Sequence, residues 1–359
     1  MAYENNNKSI LITPLNWGLG HATRCIPVIH QLFQYGYYPI IASDGAALQL
    51  LKKEFPDLKT LELPSYQIKY SKKRKNFKWK LLISIPKIAR AILQEQKIVN
   101  QWIDEYQITG IISDNRLGCY STKVPSVYIT HQVTILSGKT TWLSSWAHQY
   151  FIKKYNECWI PDFKKESSLA GKLSHCGNTK LNLKHIGPLS RFKKGLLPKK
   201  YDLTIVLSGP EPQRGMLDTI LQKEIKNYKG KVLYIKGIVE KAQKTTQLDD
   251  VTFFNFMESS QLEEALNATE TILCRSGYTS IMDLAKLEKK AFFIPTPGQF
   301  EQEYLATKLE KKRIAPYSNQ EDFTIDALHQ VSQYSGFTKL ENTVDWTSLL
   351  SIFNKKTDR

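Results

Sequence analysis

SILITPLNWGLGHATRCIPVIHQLFQYGYYPIIAS, residues 9–43, is the stretch on which the reading of the fold turns. Residues 9–15 form a short apolar run of strand length, ended by the two-glycine turn NWGLG. From His21 the apolar residues return at helical spacing until Gly36 stops them, and YPIIAS (38–43) is a second apolar run. Parallel strands need a crossover, and a helix that provides one also covers a face of the sheet. Strand, helix and strand in this order therefore predict a parallel βαβ unit.

Outward from that unit the alternation continues. ITGIISD (108–114) reads as a strand, and VPSVYITHQ (124–132) contains another. KHIGPLSRF (184–192), with Gly187 and Pro188, then reads as an interdomain linker. The pattern restarts with strands at 202–208, 231–236, 251–256, 271–274 and 291–295. The prediction is an α/β chain of two doubly wound domains, residues 1–190 and 191–335, with a helical tail over 336–359. Its 359 residues suit two domains of ordinary size.

The formal net charge of +16 favours polyanions or anionic surfaces. The 5 cysteines include no C-x-x-C pair, so reduced thiols and a cytoplasmic setting are expected rather than a disulfide framework or zinc site. The N-terminus lacks the apolar core of a signal peptide, and no stretch has transmembrane length and apolarity. KYSKKRKNFKWK (69–80) concentrates seven Lys/Arg with Phe77 and Trp79. No nucleic-acid motif accompanies it, so nucleic acid is not an expected partner; the run either meets an anionic membrane surface or is a solvated surface loop. A helical stripe follows through Leu81, Ile85, Ile88, Ile92, Val99 and Ile103.

Three motifs can carry chemistry. In NWGLGHATR (16–24), Gly18 and Gly20 allow a ligand close to the backbone, and His21 opens a helix at the strand's C-terminal edge, where open α/β sheets bind ligands. Alternatively, His21 simply caps the helix. In LSGPEPQR (207–214), Ser208, Gly209 and Arg214 suit a diphosphate at a helix start, or form an ordinary loop. In CRSGYTSIMDLA (274–285) and PTPGQFEQEYLA (295–306), Arg275, Ser276 and Gly277 open a helix on which Asp283 can accept ribose hydroxyls. Gln299 and Gln302 then suit sugar hydroxyls; the plain alternative is a solvated loop.

Together these motifs resemble the MurG-type glycosyltransferases of family 28, from about Ser9 to about Lys312 and more closely in the second half. The resemblance implies the GT-B fold, two Rossmann-like domains facing a central cleft, with a tail that crosses back to the first domain. It implies a UDP-sugar donor, no cofactor, and a hydroxyl acceptor of the lipid-linked kind, met at the inner face of the membrane. On this chain it puts Ser208 and Gly209 at the diphosphate, Asp283 at the ribose, Gln299 and Gln302 at the sugar, and the backbone of Phe256 and Met257 at the uracil. The chain departs from the family with Trp17 and Leu19 in the first glycine loop and SGPEPQR in the second.

No D-x-D motif occurs, so no metal is expected. Inverting transfer needs a base, and His21 titrates in the right range. Asp114 either orients His21 or caps the next segment; His131 is a second candidate base, and Asn115 and Arg116 are placed at the acceptor side. Two other readings stand beside this one: a nucleotide-sugar 2-epimerase of the same fold, and a non-catalytic nucleotide-sugar binder.

Overall fold

A computed structural model of the chain describes residues 8–66, 77–164, 167–177, 180–340 and 344–354, with backbone alone for 77–85. The basic run 69–80 thus falls outside the described residues, apart from the backbone of its last four. The described chain forms two compact units.

The first unit is built on a parallel seven-stranded sheet: β1 (Ser9–Pro14), β2 (Tyr38–Ser43), β3 (Thr60–Glu62), β4 (Ile108–Asp114), β5 (Ser126–Ile129), β6 (Glu157–Ile160) and β7 (Leu183–His185). Their order is β3-β2-β1-β4-β5-β6-β7. The crossovers include α1 (Gly20–Gln34), α2 (Gly45–Glu54), α3 (Phe77–Glu105) and α4 (Thr141–Ile152). Helices cover both faces, which is why β1 is apolar without alternation. Ile10 and Ile12 pack with Ile26, Ile29 and Leu32 of α1, while Leu11 packs with Val99 and Ile103 of α3.

The second unit holds β8 (Tyr201–Val206), α5 (Gln213–Glu224), β9 (Val232–Ile235), β10 (Thr245–Leu248), β11 (Val251–Phe254), α6 (Ser259–Asn267), β12 (Thr269–Cys274), α7 (Tyr278–Leu287), β13 (Lys290–Phe293) and α8 (Phe300–Lys311). Its strand order is β10-β11-β9-β8-β12-β13, parallel except for the β10–β11 hairpin. In each sheet the chain winds outward from a central strand and then returns to that strand's other side. The switch points lie between β1 and β4 and between β8 and β12, and at such points a crevice opens beyond the strand C-termini.

The chain's last described residues belong to the first unit. Helix α9 (Trp346–Leu350) and the 3-10 turn Ser351–Asn354 carry Leu349, Leu350, Ile352 and Phe353 into the core around Ile10 and Ile12. Phe353 lies where a Cβ on Gly110 of β4 would stand, so only glycine fits beneath the ring. Lys8 Nζ donates to the Phe353 carbonyl (3.2 Å) and Tyr37 Oη to that of Leu350 (3.3 Å).

The strands read from apolar runs agree with the observed ones to within about two residues. Not read were β3, β6, β7 and β10, and β7 lies partly inside the segment taken as linker. Among the described residues, no helix is long and apolar enough to cross a membrane.

Candidate functional site

At the first switch point the glycine loop ends β1 and α1 begins. Gly18 has φ +75°, a conformation that side chains disfavour, so the tight turn requires glycine. No side chain caps the start of α1. His21 in its first turn reaches Asp114 at the end of β4, with Nδ1 to Oδ1 2.7 Å. Arg24, one turn further along α1, grips the same carboxylate by two nitrogens: Nε reaches Oδ2 at 2.7 Å, and Nη2 pairs with Oδ1. Arg24 is 1% exposed and Asp114 0%, so the cation compensates a carboxylate that water cannot reach. Burial alone raises the carboxyl's pKa. The charges and hydrogen bonds of Arg24 and His21 outweigh that effect and hold it down at about 2.

Asp114 Oδ1 can only accept, so its bond puts a hydrogen on His21 Nδ1 and leaves the lone pair on Nε2; Arg24 Nη2, 3.0 Å from the same Nδ1, and Asn115 Nδ2 then touch that nitrogen without a hydrogen bond. Arg24 Nη1 lies 3.0 Å from His131 Nδ1, the atom that must accept this bond. Asn115, in the left-handed region at φ 59°, brings Nδ2 to 3.3 Å from His21 Nδ1. Its Oδ1 accepts from Tyr128 Oη at 3.1 Å, and that hydroxyl lies 2.9 Å from His148 Nε2. Burial lowers His148 to about 4. The structure thus gathers His21, Asp114, Asn115 and His131 around Arg24, and Asp114 bonds the histidine instead of capping the following segment.

Arg116 is placed differently from the expectation that it faces an acceptor. It is 0% exposed, donates to the carbonyls of Pro14 (3.1 Å) and Pro64 (3.0 Å), and pairs with Asp44 and Glu95. It ties together the loops after β1, β2 and β3.

At the second switch point, Ser208 and Gly209 (φ +95°) follow β8, and Pro212 leads into α5, where Glu211 Oε2 accepts from the Gly215 N–H of the first turn at 3.2 Å. Arg214 pairs with Glu211 at 2.6 Å and donates to the Gly237 carbonyl. Beyond β12, Gly277 caps α7 with open space where a Cβ would stand. Asp283 on α7 is 8% exposed and accepts from Ser190 Oγ at 2.6 Å. Burial raises its pKa to about 6, against the opposing charge of Arg191 and the Ser190 hydrogen bond.

Several other candidates are engaged within the protein. Arg275, read as a ligand contact, is turned inward: its guanidinium donates to the carbonyls of Ile294 (3.1 Å), Pro295 (3.0 Å) and Gln213 (3.0 Å) and to Gln320 Oε1 (2.6 Å). Burial lowers its pKa to about 9. It fastens the start of α5 to the loop after β13, and so fixes loops that carry other candidates. Ser276 donates to the Gln302 carbonyl (2.8 Å), and Gln302 Oε1 accepts from Thr296 N–H (2.8 Å). Gln299 caps α8. The Phe256 N–H donates to Asn255 Oδ1 (3.0 Å), its carbonyl accepts from Gln243 Nε2 (2.9 Å), and Met257 follows, half-buried.

The reading of the sequence missed Arg24, Ser190 and Arg191. Arg24 had a signal, since three residues after His21 it shares a helix face with it. Ser190 and Arg191 had none, because Asp283 is 93 residues from Ser190 along the chain.

Comparison with known proteins places these features. Residues 206–341 match the glycosyltransferase family 28 C-terminal domain. Over 156 residues the chain is 29% identical to the UDP-N-acetylglucosamine–N-acetylmuramyl-(pentapeptide) pyrophosphoryl-undecaprenol N-acetylglucosamine transferase of Haemophilus ducreyi, covering 41% of this chain and 43% of that protein. The matched part thus spans less than half of that relative. Among solved structures, the glycotransferase of kitacinnamycin aligns with TM-score 0.60 at 11% identity, over 91% of this chain and 90% of that one. MurG of Acinetobacter baumannii aligns with TM-score 0.52 at 14% identity, over the same 91% and 90%. These likenesses show the fold, the GT-B type of two Rossmann-like domains.

Proposed function

We propose that this chain is an inverting, metal-independent glycosyltransferase that moves a hexose or N-acetylhexosamine from a UDP-sugar to a hydroxyl acceptor. The observation that carries the reading is the His21–Asp114 pair at the β1/β4 switch point, in a chain whose residues 206–341 match the glycosyltransferase family 28 C-terminal domain. His21 Nε2 takes the acceptor's hydroxyl proton. That oxygen attacks the anomeric carbon from the face opposite the diphosphate, whose bond to the sugar breaks with the electron pair leaving on UDP. Asp114 steadies the resulting imidazolium.

In the second unit, the turn at Ser208 and Gly209 and the helix starts at α5 and α7 meet the diphosphate charge. Each helix end contributes about 0.3–2 kcal/mol, so several donors act together. Asp283 takes the ribose hydroxyls, Gln299 and Gln302 take the sugar, and the backbone at Phe256 and Met257 faces the uracil. The same reading makes the acceptor lipid-linked and brings the basic segment 69–80 to an anionic membrane face.

Calorimetry with UDP tests the donor half. Asp283→Ala should weaken binding by about 1.5–3 kcal/mol, while His21→Ala should bind UDP as the parent does. An unchanged affinity in a folded Asp283→Ala protein removes the donor assignment. A thermal-shift panel of UDP-sugars then identifies the sugar.

A further inference from the structure

Three side chains of the first unit meet at Arg24 of α1: Asp114 from the end of β4, His21 from the same helix, and His131, which follows β5. A guanidinium carries hydrogens on all its nitrogens and has no acceptor. Each neighbour must therefore accept from it or touch it without bonding.

The consequence differs for the two imidazoles. His21 gives its Nδ1 hydrogen to Asp114 (2.7 Å), so its lone pair is on Nε2. At His131 the partner of Nδ1 is Arg24 Nη1, at 3.0 Å. That Nδ1 accepts, so the neutral ring keeps its hydrogen on Nε2. Two terminal nitrogens of one guanidinium touch both rings, which makes the rings neighbours of opposite polarity. Arg24 sets one through Asp114 and the other directly.

Polarity decides what each ring can do. To act as a base, His131 would take a proton on Nδ1, the nitrogen that faces a cation. The product would be an imidazolium against Arg24, on a ring only 5% exposed, and like charge and burial both oppose it. Its Nε2–H can only donate. The half-buried Gln132 brings an amide nitrogen, also a donor, to 3.4 Å from His131 Nε2.

We infer that Arg24 is a positioning residue that gives the two histidines complementary tasks. His21 Nε2 takes the proton of the reacting hydroxyl, while His131 keeps its own and donates from Nε2 to a second oxygen of the acceptor. The acceptor so specified carries a lone-pair oxygen, as hydroxyl, carbonyl or phosphate, beside the hydroxyl that receives the sugar. The tasks rest on the transferase reading above; the tautomers do not.

NMR of the full chain with isotope-labelled histidine reads the tautomers, and H21Q and H131Q identify the two rings among the 7 histidines. At neutral pH His21 should carry its hydrogen on Nδ1 and His131 on Nε2. R24K keeps a cation but loses the fork: His131 should then populate both tautomers, while His21 stays as it is. An Nδ1–H tautomer at His131 in the parent overturns the inference, as does an unchanged His131 in folded R24K. Transfer is followed as UDP released from UDP-N-acetylglucosamine with a lipid extract as acceptor. H131A should raise the acceptor KM at least about tenfold and lower kcat less. H131Q, with an N–H near the place of Nε2, should recover most of that loss. H131N, which offers Arg24 an amide oxygen but leaves the place of Nε2 empty, should not. The fall of kcat at acid pH should persist in H131A. A kcat loss of about 100-fold or more in H131A that Gln does not restore makes His131 the base and overturns the inference. A parent that transfers from no UDP-sugar defeats the transferase reading instead, and the tautomers are judged apart from it.

Discussion

Two buried aspartates, one at each switch point, have opposite surroundings. Asp114 is met by two nitrogens of Arg24 and one of His21, and its pKa is held at about 2. Asp283 has the Ser190 hydroxyl and the more distant charge of Arg191, and burial pushes it up to about 6. A carboxylate with its charge compensated serves as a fixed part, here one that orients a histidine. A carboxylate buried without enough donors is stabilised when a ligand supplies them. The difference supports the proposed roles, Asp114 in the standing architecture of the first unit and Asp283 in recognition in the second.

The largest expected effect lies on the catalytic side of this contrast. His21→Ala should lower turnover by about 10²–10⁴-fold, and Asp114→Asn should also reduce it sharply, with UDP affinity preserved in both. If either variant weakens UDP binding as much as turnover, the two sites are not functionally separable as described.

Stability provides the next test. Arg24→Met leaves Asp114 buried without its cation and should cost about 3–5 kcal/mol in urea unfolding at neutral pH. Asp283→Asn should act in the opposite direction and add about 1–3 kcal/mol, since it removes a poorly compensated charge. Destabilisation by both substitutions would break the comparison. The pH dependence has matching signs. Asp114, depressed in the folded state, contributes stability at neutral pH that is lost as pH falls below its ordinary value of 3.8 towards 2. Asp283, raised in the folded state, favours folding at acid pH, and that contribution is lost as pH rises through about 6.

The smallest effect sharpens the ligand assignment. Ribose hydroxyls donate to the ionised carboxylate, so binding should expel a proton near pH 6, and UDP affinity should fall about tenfold between pH 7.5 and 5. Calorimetry in buffers of different ionisation enthalpy measures the released proton. Asp283→Asn should flatten the profile, and an equally steep profile in that variant would point to another titrating group.

The sequence disclosed both sheets through their central strands, because strands covered on both faces are continuous apolar runs. Three of the four edge strands were illegible for the converse reason: TLE in β3, LKH in β7 and TTQL in β10 carry polar side chains at the sheet margin, whereas the apolar edge β13 was read and the short interior β6 was not. Glycine turns located both switch points, since their backbone geometry restricts the residue type. Arginines misled. Arg116 and Arg275 sit beside candidate loops and looked available to ligands, yet both bind carbonyl oxygens inside the protein. Whether a guanidinium faces outward or crosslinks loops depends on which backbone oxygens converge on it, and that convergence is created by tertiary folding.

The seat of Phe353 on Gly110 has a consequence for biosynthesis. During translation, residues 8–189 emerge long before Leu349, Leu350, Ile352 and Phe353, which complete the core around Ile10 and Ile12. Each buried side chain of this kind contributes about 1.5–3 kcal/mol, so the nascent first unit waits with an apolar gap over β4. The second unit has its strands and α-helices between residues 201 and 311 and its last core side chains, Phe323, Ile325 and Val331, soon after, so it can consolidate first. The unit that is made first is therefore finished last, and the C-terminal segment acts as its closing wedge on the ribosome.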